Sequence, residues 1–133
     1  MITEKIVRLS NVQREAIRRA SGVFGCYVLY DSARCLYVGK SFDCGQRLMT
    51  HFCGSYKSFD GNVIVCDLSK IASEMNHVEA RQYLSYYERA MIRQLKPLDN
   101  RKAKNSPMTW REFEGMMPKV QMAIINRVES IID

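Results

Sequence analysis

Hydrophobic and polar residues alternate along the chain in short stretches that favour β-strands. Residues 23–30 (VFGCYVLY) and 35–39 (CLYVG) are rich in β-branched and aromatic side chains. The polar sequence DSAR between them is typical of a turn, so the two stretches predict a β-hairpin. A third apolar run, GNVIVCDL at 61–68, predicts a further strand that is buried.

Apolar residues with helical spacing predict helices around these strands. Ser10 is a suitable N-cap for a helix over NVQREAIRRA, and Asp43 for a second helix that ends at about residue 52. The most regular pattern covers residues 78–95 and stops before Pro97. These segments place a long helix after the third strand.

The C-terminal part predicts two more helices, a short one over WREFEGM and a longer one that opens at Pro118. The longer helix has an apolar stripe formed by Val120, Ile124, Val128 and Ile131. We expect this stripe to dock on the protein's own core, with dimerisation as the alternative. The predicted order is α-β-β-α-β-α-α-α, which is typical of an α+β domain.

The composition indicates one globular domain. A chain of 133 residues can bury a core, and its hydrophobic share of 47% and charged share of 26% are ordinary. No apolar run approaches the roughly 18 residues that a membrane-spanning helix needs. The N-terminus also lacks the apolar segment of a secretory signal. We therefore expect no membrane association.

The five cysteines indicate the compartment. They form no CxxC pair, and the first four are nine residues apart, a spacing that matches no metal-ligand pattern. Reduced thiols in a cytoplasmic protein are the favoured interpretation, and a zinc site is the alternative.

The net charge of +6 and the isoelectric point of about 9.2 favour polyanionic partners. Basic residues concentrate between positions 89 and 104 and on the first helix, although such faces are often merely solvated. The candidate nucleic-acid contacts are Arg14, Arg18, Arg19, Lys40, Arg89, Arg93, Lys96, Arg101, Lys102 and Lys104.

One acidic residue lies inside an apolar stripe. Glu88 shares a helix face with Leu84 and Ile92, because positions four apart are neighbours on a helix. A buried carboxylate needs a cation, since leaving it unpaired costs several kcal/mol. Either a salt bridge to Arg81 or Arg47, or coordination of Mg²⁺, would satisfy this requirement.

Two further pairs are candidates for chemistry. Arg47 and His51 are four residues apart and project together from one helix, where an arginine suits a phosphate. Tyr27 and Tyr37 lie on the paired strands, each close to a glycine that permits close approach to the backbone. A catalytic interpretation requires both tyrosines to share a face with Arg47, His51 and Glu88.

These residues together resemble the signature of the GIY-YIG nucleases. Gly25-Cys26-Tyr27 is followed after nine residues by Tyr37-Val38-Gly39, with Cys26 in place of the usual Ile. The gap is slightly short for the family, which implies a tight hairpin. The resemblance covers about residues 22–101. The other matched positions are Lys40, Arg47, His51, Glu88 and, in KPLDN, Asn100.

The resemblance implies a fold and an activity. The fold is an α+β domain over residues 22–104 with a central three-stranded antiparallel sheet flanked by helices; residues 1–21 and 105–133 would be helical extensions. The activity is hydrolysis of phosphodiester bonds in double-stranded DNA with one Mg²⁺ or Mn²⁺ held by Glu88.

In this scheme Arg47 stabilises the developing charge, Tyr27 or Tyr37 activates water, and His51 hydrogen-bonds a tyrosine or a phosphate. Gly39, Lys40 and Asn100 support the site. We expect a monomer that nicks one strand per active site, in a phage or mobile-element setting. The alternatives are a dimeric restriction-type enzyme, a DNA-binding module that has lost catalysis and an adaptor that binds through its last helix.

Overall fold

The computed structural model describes residues 9–100 and 110–132, which form three strands and six helices. The elements in chain order are α1 (Asn11–Ala20), β1 (Gly25–Asp31), β2 (Arg34–Ser41), α2 (Cys44–Cys53), β3 (Asn62–Asp67), α3 (Ser69–Ala72), α4 (His77–Leu95), α5 (Trp110–Glu114) and α6 (Pro118–Ile132).

The three strands form one antiparallel sheet in the order β2-β1-β3. This confirms the predicted α+β class with a central three-stranded sheet flanked by helices. The prediction that the third strand is buried was wrong. Within residues 9–100 and 110–132, β3 is an edge strand that pairs with β1 alone, and Ile64 on it is 48% exposed while its neighbour Val63 is buried.

The β1–β2 hairpin is tight, as the short gap between the two motif halves predicted. Asp31 pairs with Arg34, which leaves a turn of two residues, and Ser32 adopts a left-handed conformation with φ of 54°. The register shifts after Leu29, which pairs with Tyr37, so that Leu36 is an extra residue in β2. Tyr27 pairs with Gly39 beyond this bulge.

Helices cover both faces of the sheet because residues of β1 alternate between two cores. Tyr27 and Leu29 pack with Leu48 and Phe52 of α2 on one face. On the other face Cys26 packs with α4 and α6, and Val28 packs with α4. The burial of nearly all of β1 therefore follows from its central place between two helical layers.

Capping residues fix the starts of three helices, and two of them, Ser10 and Asp43, were predicted from the sequence. Ser10 and Asn76 each accept a hydrogen bond from a backbone N–H three residues later and complete capping boxes for α1 and α4. Asp43 caps α2 in a similar way. The short helix α3 was not predicted, because four residues without a side-chain cap carry no periodic signal.

The last helix docks on the protein itself. Val120 and Ile124 of α6 are buried in the core that contains Leu84 of α4. The other two residues of the predicted stripe, Val128 and Ile131, have side chains outside the described part of the structure. The first half of the stripe therefore packs within the chain, as predicted.

Candidate active site

The site is arranged around Gly39, where a side chain would collide with Tyr27. A Cβ atom at Gly39 would lie 2.3 Å from the Tyr27 hydroxyl oxygen. The absence of a side chain on β2 lets the ring of Tyr27, from β1, extend across the neighbouring strand. The predicted close approach at this glycine is confirmed.

Tyr27 and His51 form a buried pair. The side chain of Tyr27 is fully buried, and its hydroxyl oxygen lies 2.7 Å from Nε2 of His51. Burial, and then the neighbouring Tyr37, hold the pKa of Tyr27 well above its ordinary value, while Arg47 opposes this effect. Burial, and then the charge of Arg47, lower the pKa of His51 to about 4. Both groups are therefore neutral at pH 7.

Tyr37 lies on the same face of the sheet and is only half-buried. Its ring centroid is 6.1 Å from that of Tyr27 and 4.8 Å from that of His51. Water can therefore reach the side chain of Tyr37 but not that of the fully buried Tyr27.

Arg47 is exposed on α2, one turn before His51. The charge of its guanidinium lowers the pKa of both Tyr27 and His51. The structure thus brings together the four predicted residues Tyr27, Tyr37, Arg47 and His51 at one end of the hairpin.

Glu88 approaches from the opposite side of the sheet, contrary to the expectation of a common face. It is 6% exposed on α4, which packs on the Cys26 and Val28 face of β1. Burial, then Cys66, and then the Glu88 carboxylate raise the pKa of the Cys26 thiol, so Glu88 lies near that thiol. The expectation was wrong because α2, which carries Arg47 and His51, and α4, which carries Glu88, cover different faces of the sheet.

Lys40 connects the two sides at Gly39. Its Nζ donates a 2.7 Å hydrogen bond to Oγ of Ser85, which lies one turn before Glu88 on α4. Gly39, directly before Lys40, lies under the Tyr27 hydroxyl on the other face. The arginine and tyrosines on one side and Glu88 on the other therefore flank the same end of β2.

The KPLDN segment covers the free edge of β2 with hydrogen bonds. The backbone N–H groups of Leu98 and Asp99 donate to the carbonyls of Cys35 and Leu36 at 3.2 and 2.9 Å. The Asn100 amide accepts from the Val38 N–H at 3.1 Å and donates to the Val38 carbonyl at 2.8 Å. Asn100 therefore holds the strand that carries Tyr37 and Gly39.

The donor chemistry at Glu88 fits a single hard cation. Mg²⁺ is commonly held by one or two carboxylates, with waters and phosphate oxygens completing its coordination. Within residues 9–100 and 110–132 no three His, Cys, Asp or Glu side chains converge as a metal cluster. None of the five cysteines forms a disulfide, and Cys26, Cys35 and Cys44 are buried. A single carboxylate would leave most of the coordination of such a cation to waters and phosphate oxygens.

Several basic candidates are engaged within the protein. Arg89 forms an ion pair with Glu112 of α5, and Arg18 pairs with Glu15 at 2.5 Å. Arg14 donates to the Leu9 carbonyl. Arg19 donates to the Val63 carbonyl. Arg93 and Lys96 are exposed. The remaining basic candidates, Arg101, Lys102 and Lys104, lie outside the described residues.

Sequence reasoning missed Tyr56, which packs beside the site. Its ring lies 6.1 Å from Tyr37 and 5.7 Å from His51, and its hydroxyl donates a 2.6 Å hydrogen bond to Asp99. Buried Gln13 donates to the carbonyls of Lys57 and Phe59 at 3.0 and 3.1 Å and so holds this loop against α1. No local pattern in the sequence marks either residue.

Comparison with known protein families identifies the domain. The model of the GIY-YIG catalytic domain matches residues 23–104, which is more than half of the chain. No curated protein and no solved structure matches. Among the described helices, none is long and apolar enough to span a membrane. The chain therefore belongs to the GIY-YIG family, whose catalytic domain indicates an endonuclease that acts on the phosphodiester bonds of DNA.

Proposed function

We propose that this protein is a metal-dependent endonuclease that cuts one strand of double-stranded DNA per catalytic event. The observation that carries the proposal is that two sets of side chains lie on opposite sides of β2 at the end that contains Gly39. Tyr27, Tyr37, Arg47 and His51 lie on one side, and the buried carboxylate of Glu88 lies on the other.

Tyr37 is the better candidate for the base that activates water. Its hydroxyl belongs to a half-buried side chain, whereas Tyr27 is fully buried and has a raised pKa. A base must lie within hydrogen-bond reach of the proton that it abstracts. In its phenolate form Tyr37 would accept that proton as the water oxygen attacks phosphorus and the bond to the 3′ oxygen breaks, and the leaving 3′ oxygen would take a proton from solvent water. Tyr27 and His51 would hold the ring of Tyr37 in place.

Arg47 supplies positive charge on the exposed side of the site. Its planar guanidinium can donate two hydrogen bonds to the phosphate oxygens, whose charge increases during attack. A divalent cation held by Glu88 would neutralise charge on the scissile phosphate and on the leaving oxygen. Lys40 would contact a neighbouring phosphate on the Glu88 side, since its ammonium lies beside Ser85, one turn before Glu88.

The test is plasmid cleavage in Mg²⁺ by the wild type, Glu88→Gln and Glu74→Gln. Glu88→Gln keeps the shape of the side chain but removes the charged metal ligand, so cleavage should fall at least about 100-fold. Glu74 is exposed outside the site, and its variant should cut like the wild type. Cleavage by Glu88→Gln at the wild-type rate would refute the assignment.

The same experiment separates the enzyme from a DNA-binding module that has lost catalysis. That alternative predicts retention of plasmid in a gel-shift assay without cleavage at any Mg²⁺ or Mn²⁺ concentration. The presence of Tyr37, Arg47 and Glu88 together favours the enzyme, since DNA binding alone does not require a buried carboxylate in addition to the tyrosine and the arginine.

A further inference from the structure

Phe42 is a large aromatic side chain on the surface beside the proposed site. It lies between the end of β2 and the cap of α2, two residues after Lys40, and it is 51% exposed. Its ring stacks on that of Phe24 with a centroid distance of 5.5 Å and an interplanar angle of 4°. Phe24 fixes the orientation of the ring and leaves half of the side chain open to solvent.

Positive and polar groups surround the exposed part of this ring. The guanidinium carbon of Arg81 lies 5.8 Å from the ring centroid of Phe42, and the ring of His77 lies 5.9 Å from it. Arg81 is exposed and forms no ion pair within residues 9–100 and 110–132. Its remaining donors are therefore available to an anion next to the aromatic surface.

The nearby acidic side chains are used within the protein. The Asp43 carboxylate accepts from the backbone N–H groups of Gly22 and Gln46. The Glu79 carboxylate accepts from the backbone N–H of Asn76. The surface at Phe42 therefore combines an exposed ring with available positive charge, which is the pattern of a single-stranded nucleic-acid contact rather than of an apolar protein interface.

This surface continues along α4 toward Glu88. His77, Arg81, Ser85 and Glu88 are spaced four, four and three residues apart, so they follow one face of the helix. Arg81 and Glu88 are separated by about 10 Å along the helix axis at 1.5 Å per residue. That length corresponds to about three base steps of a DNA strand at 3.4 Å each.

We propose that Phe42 and Arg81 form a stacking platform for an unpaired base of the DNA, within about three nucleotides of the cleaved phosphate. The base stacks on the Phe42 ring or on the Arg81 guanidinium, and Arg81 also contacts the adjacent phosphate. The proposal rests on the proposed nuclease function and deepens it. The substrate it specifies is duplex DNA that contains an unpaired or displaced base.

The test measures binding without metal, so that it does not depend on cleavage. The probes are a perfect duplex and the same duplex with one unpaired 2-aminopurine, whose fluorescence changes when the base stacks on a ring. In EDTA the wild type should bind the unpaired-base duplex about 5- to 150-fold more tightly, the range for stacking of one base. The fluorescence should change on binding.

Phe42→Ala should reduce this preference to less than about twofold and abolish the fluorescence change, while Phe42→Trp should retain both. Ile64→Ala is the matched control, since Ile64 is a similarly exposed apolar residue on the remote edge strand β3, and it should bind like the wild type. Circular dichroism and thermal unfolding check that each variant is folded. Equal preference in Phe42→Ala and the wild type would overturn the platform.

The outcome is distinguishable from failure of the nuclease proposal. If the wild type cuts plasmid but has no preference for the unpaired base, the platform is wrong and the nuclease stands. If the wild type binds the unpaired base through Phe42 but never cuts, the platform stands and the catalytic function is wrong. If Arg81→Gln and Phe42→Ala each lose the preference for the unpaired-base duplex, both residues belong to the stacking platform.

Discussion

The two tyrosines of the site have different surroundings, so their phenylalanine variants should have different effects. Tyr37 is half-buried and reachable by water, and Tyr37→Phe should lower kcat by at least about 100-fold. Tyr27 is buried, and Tyr27→Phe loses its hydrogen bond to His51, which should lower the free energy of unfolding by about 1 kcal/mol.

The two effects are separated by steady-state cleavage kinetics and urea unfolding of both variants. Retention of the Tyr27 ring keeps the packing against Tyr37, so its loss of kcat should be the smaller of the two. A larger loss of kcat in Tyr27→Phe than in Tyr37→Phe would reverse the assignment of the base.

His51 makes stability depend on acidic pH. Burial, and then the charge of Arg47, lower its folded-state pKa to about 4, below the ordinary value of 6.5. Between these values the unfolded chain binds a proton that the folded chain does not bind. The contribution of His51 to the free energy of unfolding is therefore fully present above pH 6.5, and it is lost progressively as the pH falls toward 4.

Urea unfolding at pH 7 and pH 5 measures this dependence. His51→Gln should lose less stability than the wild type between these two values, because the titrating group is gone. His77→Gln is the matched control, since His77 is the other histidine of the chain and is exposed. A wild-type pH dependence in His51→Gln would show that His51 is not the group responsible.

At the scale of elements, the edge of β2 depends on one side chain. Asn100 pairs with both backbone groups of Val38, whose side chain is fully buried. Asn100→Ala leaves those groups without this partner and should lower the free energy of unfolding by about 1–3 kcal/mol. Asn126→Ala, at an exposed position of α6, should change it by less than about 0.5 kcal/mol. Thermal unfolding of both variants measures the difference. Equal unfolding midpoints for the two variants would contradict the role of Asn100.

Local patterns predicted the elements well where the signal is local. Caps such as Ser10 and Asp43 and the periodicity of α4 fix the ends of helices within a few residues, because these effects act over one or two turns. The burial of β3 could not be predicted in this way. An edge strand and a central strand have similar apolar runs, and only pairing with β1 decides between them.

The sequence provided candidate residues for the site but not their arrangement in space. Spacing brought Arg47 and His51 together because they share one helix face, and the structure confirms that they lie together. The approach of Glu88 from the other face depends on how α4 crosses the sheet. Long-range contacts such as Tyr56 to Asp99, which are 43 residues apart, have no local signal at all.

At the scale of the whole molecule, the positive charge is divided between two sides. The arginines of α1 are largely engaged, as Arg18 pairs with Glu15 and Arg19 donates to the Val63 carbonyl. On the α4 side Arg81 and Arg93 are exposed. Since phosphate contacts need available donors, we expect DNA to follow α4 rather than α1.

The number of strands cut per encounter depends on oligomeric state. One set of Tyr37, Arg47 and Glu88 makes one centre, and the two scissile phosphates of a duplex lie on antiparallel strands. Simultaneous cleavage of both therefore requires a two-fold dimer. The residues Val120 and Ile124 of α6, which could have formed such an interface, are buried in the protein's own core.

We therefore expect a 15.4 kDa monomer in sedimentation, both free and on DNA, that converts supercoiled plasmid to the open-circular form. Linear plasmid should appear only after open circles accumulate, because it needs a second, independent nick near the first on the opposite strand. A time course of plasmid forms at several protein concentrations measures this order, and the rate of nicking should rise linearly with concentration. A stable dimer that yields linear DNA with no open-circular intermediate would contradict the nicking mechanism, since it would require two centres that act together on one duplex.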